Sequence, residues 1–115
     1  MSAVPFGLPA MTVEKIGGVL ARHPQVERAI LYGSRAKGNH QHGSDIDLTL
    51  EGEGLAYDDL LGIMGELDDL LLPYTIDLSL FRMIDHEGLR EHIQRVGQEF
   101  YRRQGAGRPL PVQPA

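Results

Sequence analysis

The chain has 115 residues, of which 42% are apolar and 23% are charged. This length leaves room for one hydrophobic core, and the composition is that of an ordinary globular protein, which excludes global disorder. The formal net charge of -5 argues against general nucleic-acid binding, because that function needs a concentrated basic surface.

The cellular compartment is suggested by what the sequence lacks. The absence of cysteine excludes disulfide bonds and thiolate metal sites, and it fits a reducing compartment. Residues 1–10 have neither the basic start nor the apolar run of a secretory signal, and no apolar stretch is long enough to span a bilayer. We therefore expect a cytoplasmic protein without a membrane partner.

Apolar periodicity divides the first half of the chain into a helix, two strands and a short helical turn. Residues 12–22 have apolar side chains at helical spacing, and residues 26–32 are typical of a strand whose buried end is the apolar run at residues 29–32. A helical turn is predicted at residues 34–37, where the first residue is a serine that can cap it. Residues 44–51 alternate as a second strand does.

The second half of the chain continues with a helix, a strand and a last helix. Residues 57–71 form an amphipathic helix, and residues 75–81 form a third strand. Asp85 is predicted to cap the last helix, and the pattern extends that helix to Phe100. The predicted core residues of the two helices are Leu60, Leu61, Met64, Leu67 and Leu71, then Leu89, Ile93, Val96 and Phe100.

This element order predicts an α/β or α+β fold, with helices packed on a sheet. We expect a flexible arm at residues 1–11, a folded domain at residues 12–103 and a disordered tail at residues 104–115, because both ends are rich in glycine and proline.

A Gly-Ser pair stands where the first strand gives way to the helical turn. Gly33 lets a ligand come close to the backbone, and the free N–H groups at a helix start favour phosphate oxygens. Ser34 adds a hydroxyl donor at the same place. Such a pair is also common in simple turns, so by itself it leaves both interpretations open.

Three aspartates form the second feature. Asp45 and Asp47 lie two residues apart on a strand, so their carboxylates project from one face and can share a hard cation. Asp77 lies in an otherwise apolar strand, where a carboxylate needs a partner. The alternative for Asp45 and Asp47 is that both are solvated surface acids. The alternative for Asp77 is that it lies on a solvent-exposed face of the sheet or pairs with an arginine.

Taken together, these motifs resemble the signature of the polymerase-beta-like nucleotidyltransferases. The segment 33–38, Gly-Ser-Arg-Ala-Lys-Gly, is followed by 44–48, Ser-Asp-Ile-Asp-Leu, and ten residues separate Ser34 from Asp45. Asp77, between Ile76 and Leu78, resembles the family's third carboxylate. The resemblance covers residues 26–103 and implies a small mixed sheet of about three to four strands flanked by helices.

The resemblance also implies roles for these residues. Gly33 and Ser34 would hold the phosphates of a nucleoside triphosphate, with ATP as the expected substrate. Asp45, Asp47 and Asp77 would be catalytic and would ligate Mg²⁺, two ions being expected. Arg35 and Lys37 are candidates for further phosphate contacts, and the alternative for both is a solvated turn.

The short chain resembles the minimal nucleotidyltransferases, which are commonly the antitoxin of a pair with a HEPN-type ribonuclease toxin. In some pairs the antitoxin transfers AMP from ATP to a tyrosine hydroxyl of the toxin. The resemblance therefore implies a protein adenylyltransferase with a HEPN-type partner. Two alternatives stay open: a non-catalytic antitoxin that neutralises its partner by binding, and the catalytic subunit of a small-molecule nucleotidyltransferase.

Overall fold

A four-stranded mixed sheet forms the centre of the protein in a computed structural model, which describes residues 7–37 and 45–103. The elements in chain order are α1 (Ala10–Ala21), β1 (Arg28–Tyr32), α2 (Ser34–Lys37), β2 (Ile46–Glu51), α3 (Tyr57–Asp69), β3 (Ile76–Leu80), a 3-10 turn (Phe81–Met83), α4 (Glu87–Val96) and β4 (Gln98–Arg102). This arrangement confirms the predicted fold class of a small mixed sheet flanked by helices.

The strand order β3-β2-β1-β4 places β1 and β2 in the middle of the sheet. β1 pairs antiparallel with both β2 and β4, whereas β3 runs parallel to β2. The parallel pair needs a crossover, which α3 provides. The end of β1 therefore lies beside the starts of β2 and β3, at the same end of the sheet.

Helices cover the sheet on both faces. Leu31, Leu48 and Leu50 are fully buried or nearly so on the face that packs against α1 and α3. On the other face, Ile30 and Tyr32 of β1 pack against Ile93 of α4 in a smaller cluster. Alternate residues of β1 therefore serve two cores, as the period-2 geometry of a strand requires.

The last predicted helix is shorter in the structure, and its predicted end is a strand. α4 ends at Val96, and Phe100 lies in β4, which pairs with the open edge of β1. Gly97 permits the turn between them, because a Cβ atom there would collide with the Ile93 carbonyl oxygen and with the Ile30 side chain. The apolar spacing to Phe100 imitates a helical repeat, but a strand here also pairs the backbone groups along the open edge of β1.

Two further details differ from the sequence-based predictions. The N-cap of α4 is His86, whose Nδ1 accepts a hydrogen bond from the Leu89 backbone N–H at 3.0 Å, so the cap predicted at Asp85 is wrong. On α3, Leu60, Ile63 and Leu67 are buried. The predicted core residues Leu61, Met64 and Leu71 are instead exposed to 48%, 39% and 86%.

Ordered packing includes residues of the predicted N-terminal arm. Leu8 is fully buried and α1 begins at Ala10, so ordered packing starts before residue 12. The rest of the predicted arm (residues 1–6) and the predicted tail (residues 104–115) lie outside the described residues. Across residues 7–37 and 45–103, no helix combines the length and apolarity needed to cross a membrane.

Candidate active site

Gly33 joins the end of β1 to the start of α2 in a conformation that suits glycine. Its φ is 80°, in the left-handed region that other residues rarely adopt. A Cβ atom at this position would also collide with Oδ2 of Asp47. The glycine therefore allows the backbone turn and lets the Asp47 carboxylate lie directly against it, which brings together the two halves of the sequence motif.

Asp47 and Asp77 are partners in the register of the parallel strands β2 and β3. Partner residues in such a pair project from the same face of strands that lie about 4.8 Å apart. Asp47 is half-buried, whereas Asp77 is exposed on the outer strand of the sheet. The fold thus places two of the three predicted carboxylates side by side.

Asp45 stands immediately before β2 and is exposed. Burial raises the pKa of Asp47 above its ordinary value, the negative charges of Asp77 and Asp45 raise it further, and the nearby His92 lowers it. Negative charge therefore converges on Asp47 from two other carboxylates. A cation between them would relieve this repulsion.

The donor chemistry of this group fits a hard divalent cation, because Mg²⁺ prefers carboxylate oxygens. The distances between these side chains fit a metal ion less well. In the described part of the chain, no three His, Asp or Glu side chains lie close enough together to hold one. The strands therefore bring the carboxylates to one place, but the side chains as they stand do not form a closed metal site.

The pattern of a glycine turn facing strand-borne aspartates has a counterpart in known proteins. Residues 14–106 match the family described as polymerase beta, nucleotidyltransferase. The chain belongs to this nucleotidyltransferase family. Among curated proteins, no sequence matches it significantly.

Solved structures of toxin–antitoxin complexes share the fold of this nucleotidyltransferase domain. A chain of a toxin–antitoxin complex with AMP-PNP has a TM-score of 0.64 and 22% identity, covering 80% of this chain and 74% of that one. A chain of the MntA–HepT complex has a TM-score of 0.58 and 20% identity, covering 78% and 69%. A chain from tri-AMPylated Shewanella oneidensis HEPN toxin in complex with MNT antitoxin has a TM-score of 0.59, with the same identity and coverage.

Two residues beside the candidate site were not among the predicted functional residues. Tyr32 is the register partner of Asp47 across β1 and β2. Burial raises the pKa of the Tyr32 hydroxyl, as do the charges of Asp77 and Asp47, while a hydrogen bond with Ser79 lowers it. His92 of α4 stands edge-on to the Tyr32 ring, with 6.4 Å between ring centroids.

These two residues form the wall of the site on the α4 side. The sequence pattern of the last helix predicts a surface or cap position for His92, whereas the structure places it half-buried beside Tyr32 and near Asp47. A sequence signal existed, because His92 lies three residues after Leu89 and so shares the helix face that packs on the sheet. What the spacing could not show is that this face meets the sheet beside Asp47.

Arg35 takes a position that differs from the solvated turn, which was the alternative to its predicted phosphate contact. It is only 3% exposed, its guanidinium lies 5.3 Å from the centroid of the Tyr74 ring, and its Nη1 donates to the Gly7 carbonyl oxygen at 3.4 Å. These contacts tie α2 to the segments before α1 and β3. Phosphate binding by Arg35 stays a prediction.

Several predicted positions fall outside what the structure describes. The side chains of Ser34 and Lys37 are among them, and so are His40 and His42, which we expect in a polar loop with no metal-binding role. The predicted contributions of Ser34 and Lys37 to phosphate binding therefore remain predictions from the sequence motif.

Proposed function

We propose that this protein transfers AMP from ATP to a hydroxyl group of a partner protein, in a reaction that depends on Mg²⁺. One observation carries the proposal: the Asp47 carboxylate lies against Gly33 at the β1–α2 turn and beside Asp77 in the register of β2 and β3. A glycine turn next to converging carboxylates suits a triphosphate and its metal ions. Membership of the nucleotidyltransferase family supports the same chemistry.

In the proposed reaction, the acceptor oxygen bonds to the α-phosphorus of ATP, and the bond to the leaving pyrophosphate breaks. Gly33 and Ser34 would hold the β- and γ-phosphates, and Asp45, Asp47 and Asp77 would hold the metal. When bound, Mg²⁺ supplies positive charge that offsets the charge of the triphosphate. Asp77 is exposed, so its carboxylate is accessible to accept the proton that the acceptor hydroxyl loses.

We propose a HEPN-type toxin, encoded beside this chain, as the acceptor protein. The structural neighbours come from toxin–antitoxin complexes, and one of them contains a tri-AMPylated HEPN toxin. The exposed position of Asp77 on the outer strand also leaves the site open on that side. A macromolecular acceptor that brings its own surface fits such an open site better than a free small molecule does.

Intact-mass measurement of the HEPN-type protein, incubated with this protein, ATP and Mg²⁺, tests the proposal. We expect a mass gain of one or more AMP groups. The double variant Asp45→Asn and Asp47→Asn should abolish the gain, because neutral amides remove the negative charge that holds the metal. An unchanged rate in this variant would exclude the metal-site assignment.

The matched control is Glu14→Gln with Asp85→Asn, which removes two exposed acids outside the predicted site. We expect this control to transfer AMP at the rate of the unmodified protein. A stable complex that shows no mass gain with any form of the protein would support neutralisation by binding alone.

A further inference from the structure

Exposed apolar side chains are concentrated on one stretch of the chain. Among the described residues, six large hydrophobic side chains are exposed, and four of them belong to α3 and the residues just after it. Tyr57, Leu61 and Met64 are spaced by four and three residues, so they share one helix face. Leu71 follows seven residues after Met64 and is 86% exposed. We call these four residues the α3 strip.

Leu71 combines this exposure with a costly backbone conformation. Its φ is 55°, and it is the one non-glycine residue in the described part of the chain with a positive φ. Helices commonly end with glycine in this conformation, because a Cβ atom is strained there. Leucine at this position therefore costs stability through its backbone, and its exposed side chain gains no burial energy in return. Packing within the described chain does not explain its presence.

The sequence around the α3 strip is strongly acidic, and of its acids Glu66 is paired with Arg22 and His23. Residues 52–81 contain seven of the 16 acidic residues and no lysine, arginine or histidine. The remainder of the chain, with a formal charge of +2, is therefore close to neutral. Asp58, Asp68 and Asp69 lie on the same helix as the strip and are exposed. An apolar strip surrounded by negative charge favours a partner whose apolar contact residues are flanked by basic residues.

The position of the strip relative to the sheet connects it with the active site. A cleft of about 220 Å³ separates the second half of α3 from the start of β3, with Met64 and Asp68 on one side and Thr75 and Ile76 on the other. β3 is the outer strand of the sheet, and Asp77 directly follows Ile76. A protein seated on the strip and this cleft would lie at the outer edge of β3, and the Asp77 side chain projects from the opposite face of that strand to Ile76.

We propose that the α3 strip and its cleft are the docking surface for the acceptor protein, through a helix that presents an apolar stripe flanked by lysine or arginine. This inference rests on the proposed function, since it assigns the surface by which that acceptor is held. The acidic field attracts the basic helix, and the strip buries its apolar stripe. From this edge, the acceptor hydroxyl would reach around β3, the outer strand, to the face from which the Asp77 side chain projects.

The test measures the dissociation constant of the complex with the HEPN-type protein encoded beside this chain, by titration calorimetry with purified proteins. Leu61→Arg and Leu71→Gly should each raise Kd by about tenfold or more. Leu71→Gly is the more telling variant, because it relieves the strained φ and should leave Tm unlowered. Met83→Arg is the matched control: Met83 is also exposed, to 57%, but it lies past the other end of β3.

Each outcome bears on a different part of the inference. Variants of the strip that bind as tightly as the unmodified protein overturn the docking surface, whatever the result for AMP transfer. Tight binding that the strip variants weaken, without AMP transfer by the unmodified protein, supports the docking surface and overturns the proposed transfer. No complex with the unmodified protein overturns both.

Two further measurements test which molecule binds the α3 strip. Affinity should fall as the salt concentration rises, because the attraction between charged surfaces is screened, and affinity that does not change with salt overturns the basic character of the partner. If this protein alone forms a dimer that Leu61→Arg dissociates, a second copy occupies the strip and the docking proposal fails.

Discussion

Gly33 shows how one residue can serve the backbone and the site together. The positive φ of 80° excludes most side chains, and the Asp47 carboxylate fills the space that a Cβ atom would need. These are independent constraints, one local and one tertiary. A substitution at this position should therefore affect both folding and the geometry of the predicted metal site.

Gly33→Ala is expected to lower the free energy of unfolding by at least about 1 kcal/mol and to reduce AMP transfer by displacing Asp47. Chemical denaturation and the mass assay measure the two effects. Gly17→Ala in α1 is the control, since no atom lies within 4 Å of its added Cβ. That change should raise stability by up to about 1 kcal/mol. Equal effects of both substitutions would contradict this account of Gly33.

Asp47 is a residue whose charge costs stability in the absence of a cation. Its pKa is raised by burial and by the charges of Asp77 and Asp45. The folded protein therefore binds this proton more tightly than the unfolded chain does. The resulting stabilisation is complete below the unfolded pKa of about 3.9 and is lost as the pH rises through the higher folded value.

Asp47→Asn is accordingly expected to be more stable than the unmodified protein at neutral pH, and the difference should vanish below about pH 3.9. Mg²⁺ should raise the Tm of the unmodified protein more than that of the variant. Thermal denaturation across pH, with and without Mg²⁺, measures both effects. Asp85→Asn, at an exposed position outside the site, is the control. A variant less stable at neutral pH would refute the proposed repulsion.

At the scale of elements, β4 is the feature that completes the sheet. Gly97 ends α4 with an N–H that donates to the Ile93 carbonyl oxygen at 2.7 Å, and the chain then returns along β1. Arg28 of β1 bonds Glu51 of β2 at 2.9 Å and lies 3.7 Å from Glu99 of β4. Such half-exposed ion pairs contribute little energy each. The position of β4 is therefore fixed mainly by its backbone pairing with β1 and by the close approach of the chain at Gly97.

Gly97→Ala is expected to destabilise the protein by about 1–3 kcal/mol, because the added methyl group collides with the Ile93 carbonyl oxygen and the Ile30 side chain. Urea denaturation gives the value. Gly65→Ala on the exposed side of α3 has open space at its Cβ and should stabilise the protein slightly. A neutral Gly97→Ala would indicate that the α4–β4 junction is looser than the structure shows.

At the scale of the whole molecule, the described fold is closed by β4, and the segment after it is predicted to be dispensable. The backbone N–H of Arg103 donates to the Glu27 carbonyl oxygen at 2.9 Å, which fastens the end of β4 next to β1. A chain ending at Arg103 retains every described pairing of the sheet.

Removing residues 104–115 is therefore expected to change the free energy of unfolding by less than about 0.5 kcal/mol and to leave AMP transfer intact. Denaturation and the mass assay test this on the shortened chain. Loss of transfer with unchanged stability would instead assign residues 104–115 a role in holding a substrate.

The sequence by itself determined most of the elements and the residues proposed for chemistry. Gly33 beside Ser34, and Asp45 with Asp47, are local patterns whose geometry follows from strand period and turn chemistry. Strand alternation also predicted that Asp45 and Asp47 share a face, and the fold class was predicted correctly. These features depend on neighbouring residues in the chain, so a single sequence contains the information.

The tertiary structure decided which distant residues meet. Phe100 lies in a strand because β1 has an open edge that needs backbone partners. His92 stands beside Asp47 because α4 crosses the sheet at Tyr32. Leu61 and Met64 are exposed because α3 turns Ile63 and Leu67 toward the core. In each case the local pattern allowed more than one outcome, and long-range packing and hydrogen bonding selected one of them.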